Sequence, residues 1–207
     1  MAKQLRALAL LGWVAFGLAA VTRPAAAQTT DDAQVLLTQA EALVEIFPAG
    51  ASYRVHDFVP TAAQRARLED VLGRRLFEPR YPFLLVYDAA GRLQGYALVT
   101  EERGKYRPIT FMVGVTPEFR VTEAAIMIYR ESRGGEVQRQ RFLSQYRGKT
   151  LRDPIQINRD IINISGATIS VRSVNAGVRK TLAVAQVAFA GGVPAAESAL
   201  RPIATLR

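Results

Sequence analysis

Between Phe83 and Tyr129 the chain sets four apolar segments in succession, and their connections leave room for one topology. The segments are Phe83–Tyr87, Arg92–Thr100, Ile109–Val115 and Val121–Tyr129. Each is too short for a typical helix and rich in β-branched and aromatic residues, the mark of strands. Asp88-Ala89-Ala90-Gly91, the glycine-containing stretch Glu101–Tyr106, and Thr116-Pro117-Glu118 separate them as turns. A parallel partner would need a crossover of a dozen or more residues, which these turns do not supply. The middle of the chain therefore predicts an antiparallel meander.

Helical patterns surround it. Thr29 or Thr30 followed by Asp31-Asp32 predicts a helix start with carboxylates in the first turn. Leu36, Leu37, Ala40, Leu43, Val44 and Phe47 follow at helical spacing, and Pro48-Ala49-Gly50 ends the run. Tyr53–Val59 reads as a short strand. Pro60-Thr61 opens a second helix to about Leu72, with Thr61 and Gln64 at capping-box spacing and Gly73 as the stop. After Glu131–Gly135 a helix is expected from about Glu136 to Tyr146, with Val137, Phe142 and Leu143 inward. Arg147–Ile164 is irregular. A last helix begins near Ser165–Ala167 and runs to about Phe189, its apolar face being Val171, Val174, Val178, Leu182, Ala185 and Phe189. The class is α+β: an antiparallel meander flanked by helices.

The first 27 residues stand apart. Lys3 and Arg6 precede the apolar run Ala7–Val21, and Pro24 and Ala25-Ala26-Ala27 follow. This is the three-part pattern of a secretory signal cleaved after Ala27. The run is 15 residues, short of the roughly 20 that span a bilayer; a retained membrane anchor is the alternative. Lys3, Arg6 and Arg23 leave with that segment and no carboxylate does, so the formal charge falls from +9 to +6. Nucleic acid is not the expected partner of an exported chain. The Arg139–Arg147 cluster reads as a solvated face, with peripheral attraction to anionic lipid or an acidic partner as the alternative. With no cysteine and one histidine, His56, disulfides, thiol chemistry and Cys/His metal sites are excluded. Redox work would need a borrowed cofactor.

Chemistry concentrates at two places. Ser165-Gly166-Ala167-Thr168 opens the last helix, where first-turn N–H groups lack intrahelical partners and can serve an oxyanion. Ser165 is a candidate cap, Gly166 clears the approach, and Thr168 adds a hydroxyl; a plain structural cap is the simpler account of such a tetrapeptide. Gly134-Gly135 lets the main chain approach a flat ring, with Glu131, Ser132 and Arg133 at its edge, or else simply ends a strand before Glu136. A cation there would favour a reduced, anionic ring. Tyr106 and Tyr129 are candidates for ring stacking or for the core. No general acid/base pair is evident, and no catalytic residue is assigned.

Asp160–Lys180 (DIINISGATISVRSVNAGVRK) resembles the signature of the FMN-binding domain family. That family includes the flavin-carrying subunits of sodium-translocating NADH:quinone reductase and of the Rnf complex, with single-domain exported relatives. Gly104–Ile109 leading to Val113-Gly114-Val115, the loop Tyr129–Val137, and Phe142–Lys149 are similar to further family segments, so the resemblance covers about residues 83–185. With the signal over 1–27, the chain is expected to divide into an extension over 28–80 packed on the core, an FMN-binding domain over 81–190 as the resemblance implies, and an Ala/Pro/Gly-rich, loosely held tail over 191–207. The resemblance also implies FMN joined by a phosphoester to Thr168, beside Ser165, Gly166 and Ala167, and installed from FAD by a flavin transferase after export. Glu131, Ser132, Arg133, Gly134 and Gly135 would shape the ring pocket.

One position departs from the family pattern. An acidic residue is usual three before the serine, and Ile162 stands there, with Asp160 two residues further back. The function implied is an exported electron carrier between a membrane donor and a periplasmic or other extracytoplasmic acceptor. A flavin-dependent reductase of a small molecule, or a non-redox module lacking FMN, are the alternatives.

Overall fold

Period-two alternation decides how the meander is covered. In chain order the elements are β1 (Gln34–Val35), α1 (Gln39–Ile46), β2 (Ser52–Phe58), α2 (Ala62–Leu72), β3 (Tyr81–Tyr87), β4 (Leu93–Arg103), β5 (Pro108–Val115), β6 (Val121–Tyr129), α3 (Gln140–Leu143), α4 (Thr168–Phe189) and β7 (Arg201–Pro202). The computed structural model describes residues 33–194 and 198–206. The expected signal over 1–27 and the helix start at Thr29–Asp32 lie outside the described residues. One antiparallel sheet runs in the order β1-β6-β5-β4-β3-β2-β7. The expected meander is its centre, and the class is α+β as read from sequence.

Phe83, Leu85, Leu98, Phe111, Val113 and Ile126 point to one face, under α4 and α2. Leu84, Val86, Ala97, Met112, Ala125 and Met127 point to the other, which α1 covers. Both faces are dry, so β3, β5 and β6 read as nearly unbroken apolar runs rather than as alternating ones. On α4 the predicted stripe from Val171 to Phe189 is buried throughout. The helix lies across β4 and β5, and Ser173 Oγ donates to the Arg103 carbonyl at 2.6 Å, setting its first turns beside the β4–β5 turn.

Several local expectations change. The first helix starts later than its apolar spacing implies. Thr38 caps it, with Glu41 completing a capping box. Leu36 and Leu37 lie outside it, and their N–H groups bond to the Met127 carbonyl beside the β1–β6 pairing. Sheet-edge hydrogen bonds thus claim residues whose spacing alone suggested helix. The second helix agrees with its reading: Thr61 and Gln64 form the box and Gly73 ends it.

The expected helix over Glu136–Tyr146 is broken. A 3₁₀ turn at Gly135–Gln138, α3 and a second 3₁₀ turn at Ser144–Tyr146 replace it, because Arg139 is extended (φ −70°, ψ 131°). Buried Glu123 on β6 accepts from Gln140 Nε2 at 2.6 Å and from Arg147 Nε, tying the segment to the sheet at both ends. Val137, Phe142 and Leu143 are nonetheless buried as expected. The C-terminal residues dock rather than hang loosely. β7 pairs with β2, Ser198 Oγ donates to the Val55 carbonyl, and Ile203 is buried under the α1 face. No helix among the described residues is long and apolar enough to cross a membrane.

Candidate functional site

Three short segments converge at the N-terminal end of α4. The β4–β5 turn supplies Lys105 and Tyr106, the loop after β6 supplies Glu131, Ser132 and Arg133, and the helix start supplies Gly166 through Ser170. They enclose an open cavity of about 560 Å³, within the roughly 300–1,000 Å³ usual for small-molecule sites. Residues up to 65 apart in sequence meet here because β4, β5, β6 and α4 all present the same end.

The loop is pinned to the helix by Tyr129. Its phenol donates to the Arg133 carbonyl at 2.7 Å and lies 3.0 Å from Ser170 Oγ. Burial pushes the phenol above its ordinary pKa, so it stays protonated and able to donate. Gly134 sits between them at φ +81°; a Cβ there would lie 2.9 Å from Ser170 Oγ and 3.0 Å from the Tyr129 hydroxyl. No larger residue fits without parting loop from helix. Tyr129→Phe is expected to cost about 1–2 kcal/mol, since the buried Ser170 hydroxyl and the Arg133 carbonyl lose their partner. Denaturant unfolding should register the loss, and amide exchange should quicken around 131–135 and 167–171.

Glu131 anchors the turn. Its Oε1 accepts from the N–H groups of Tyr106 (2.6 Å) and Arg107 (3.0 Å), so the one carboxylate among the lining residues is already held by backbone donors. Lys105 and Arg133 bring cationic side chains to the rim, with Lys105 Nζ 4.8 Å from the centre of the exposed Tyr106 ring. Tyr129, by contrast, belongs to the core and offers no stacking face.

The start of α4 is bare. Ala167 is the N-cap residue, no side chain caps the helix, and no acidic residue lies in its first turn. Ser165 is therefore not the cap that its position suggested: Gly166 at φ +80° turns the chain so that the side chain of residue 167 occupies that place. A Cβ on Gly166 would meet open space, so the need for glycine there is conformational rather than steric. First-turn N–H groups of a 22-residue helix thus face the cavity side unopposed. Thr168, the first helical residue, lines the cavity, and its Oγ1 accepts from Asn163 Nδ2 at 3.0 Å.

Of the residues predicted from sequence, Thr168, Gly166, Ala167, Glu131, Ser132 and Arg133 line this cavity; Gly134 packs behind it. Ser165 is exposed beside it, and Gly135 lines a separate hollow with Gln34, Glu136, Gln138 and Arg139. Lys105, Ser170 and Asn163 were missed. All three lie inside the segments that resemble the family, but their types gave no role: packing of turn, loop and helix puts Lys105 and Ser170 in the cavity wall and sets Asn163 behind it, on the Thr168 hydroxyl. Ile162 is 75% exposed and lines two neighbouring hollows, not this one. Asp160 is engaged elsewhere: its carboxylate accepts from Lys149 Nζ and from the N–H groups of Ile155 and Gln156, and although burial opposes ionisation these donors hold it below its ordinary pKa.

The residues suit FMN in three respects. The bare helix start and two cations match a phosphate, the exposed tyrosine ring matches a flat ring system, and the volume admits both. Among known proteins, residues 104–183 match the family model described as the FMN-binding domain. Among solved structures, NqrC of Shewanella oneidensis is similar at 17% identity, over 75% of this chain and 84% of that one, with a TM-score of 0.45. No curated protein matches the chain. The chain is therefore similar to the FMN-binding domain family over residues 104–183.

Proposed function

We propose that the chain acts outside the cytoplasm as an electron-transfer protein, with FMN joined by a phosphoester to Thr168. The observation carrying this reading is the place of the Thr168 hydroxyl: on the first residue of an uncapped helix, in the same cavity as Lys105, Arg133 and the loop held by Tyr129. When bound, FMN supplies one- and two-electron chemistry that no protein side chain here provides. The first-turn N–H groups and the two cations would hold its phosphate, and Glu131 fixes the β4–β5 turn that would border it. Ile162 points away from the cavity, so its presence where an acid is usual leaves the lining unchanged. Loading falls to a flavin transferase after export, and electrons pass from a membrane donor to an extracytoplasmic acceptor.

Coexpression with a flavin transferase tests it. The intact mass should rise by that of FMN less one water, the denatured band should fluoresce, and peptide mapping should place the addition on the Thr168 peptide. An unmodified mass beside a transferase that loads a control substrate overturns the covalent reading.

A further inference from the structure

We infer that Asn163 is the positioning residue for Thr168, holding its side chain ready for esterification; this rests on the covalent reading of Thr168 above. Two observations carry the inference. Asn163 Nδ2 donates to Thr168 Oγ1 at 3.0 Å, while Asn163 Oδ1 is buried and has no hydrogen-bond partner among the described residues. A buried acceptor left unsatisfied is costly and calls for a reason. Here the carboxamide keeps its donor on the threonine, and the oxygen is the half left without a partner.

The threonine has need of such a restraint. In a helix its χ1 divides between two rotamers because Oγ1 can also turn back toward a preceding carbonyl. The bond from Asn163 selects the rotamer in which one lone pair of Oγ1 faces the carboxamide, leaving the second lone pair and the proton for a reactant. In the loading step the Oγ1–phosphorus bond forms as the anhydride P–O bond of flavin adenine dinucleotide breaks. AMP leaves with that electron pair, and the hydroxyl proton passes to a base of the transferase. Asn163 takes no part in the bond changes; it fixes where the attacking oxygen stands.

Residues 162 and 163 border the same neighbouring hollow but are held by different partners. Ile162 is exposed, its N–H donating to Gln145 Oε1 at 2.7 Å, and Asn163 bonds to Thr168. Asn163, and not Ile162, controls the hydroxyl.

Asn163→Leu and Asn163→Ala in the full-length chain test the role in two ways. Without any flavin, side-chain couplings measured by NMR should show Thr168 in one χ1 rotamer in the parent and averaged in both variants. With transferase and FAD, loading followed by intact mass should slow about five- to tenfold, the worth of one net hydrogen bond, in kcat and not in KM. Unchanged rotamer populations in the variants, or a loss confined to KM, overturn the inference. If the parent fails to load while its threonine is held and the variants' is not, the covalent reading falls and the positioning stands.

Discussion

Thr168→Val is expected to abolish covalent flavin completely while leaving a folded protein. Valine matches threonine in shape and replaces Oγ1 by a methyl group, so no nucleophile remains at the start of α4. The cost to stability is limited. Asn163 Nδ2 loses its acceptor while Oδ1 is already unpartnered, a loss of about 1–2 kcal/mol. For a chain of this size that lowers Tm by roughly 2–8 °C. Backbone donors of the first turn are untouched, so added FMN should still bind reversibly and be removed by dialysis. Intact mass, in-gel fluorescence and a thermal melt together decide it. Covalent flavin persisting on the variant would move the attachment to another hydroxyl of the cavity, such as Ser132 or Ser170, and overturn the role of Thr168.

The second large effect lies away from the cavity. Lys180→Met should destabilise the fold by about 3 kcal/mol, the low end for breaking a buried ion pair by removing one partner, or roughly 6–12 °C in Tm. Lys180 on α4 is 2% exposed. Its ammonium donates to Glu78 at 2.6 Å and lies 2.9 Å from Glu102 Oε1, while Arg74 holds both oxygens of Glu102 at 2.6 and 2.7 Å. One cluster thereby joins α4, β4 and the segment between α2 and β3. Methionine fills the space but leaves Glu102 buried with one cation instead of two.

The loss should depend on pH. Burial pushes the Glu78 carboxyl up, but the hydrogen bond and charge of Lys180, with Arg74 adding, overcome it and hold the pKa below its ordinary value. A carboxyl depressed in the folded state stabilises the protein above its unfolded pKa and loses that contribution as pH falls through the folded value. The gap between parent and variant should therefore be widest near neutrality and narrow in acid. Urea unfolding at pH 7 and at pH 3 measures it. A difference below about 1 kcal/mol at neutral pH would show that Arg74 alone satisfies the carboxylates.

Much of this molecule was legible before folding was considered. Short turns between β-branched runs left no alternative to an antiparallel meander, and Thr61, Gln64 and Gly73 marked both ends of α2 because capping is a local contest among neighbouring groups. Where a segment's partner lay far along the chain, local spacing misled. Leu36 and Leu37 read as helix until the Met127 carbonyl took their N–H groups. Glu136–Tyr146 read as one helix until Glu123 tied Gln140 and Arg147 to β6.

The site divides in the same way. Thr168, Gly166 and the glycine loop were identifiable from the amino-acid string through their resemblance to a known motif, and the last helix through its apolar period. That Tyr129 would rivet the loop to Ser170, that Glu131 would spend its carboxylate on the Tyr106 turn, and that Asn163 rather than Ile162 would face Thr168 were decided only in three dimensions. Local stereochemistry acts between neighbours and is written in the order of residues. Which distant donor meets which acceptor depends on how sheet and helix stack, and no local pattern carries that information.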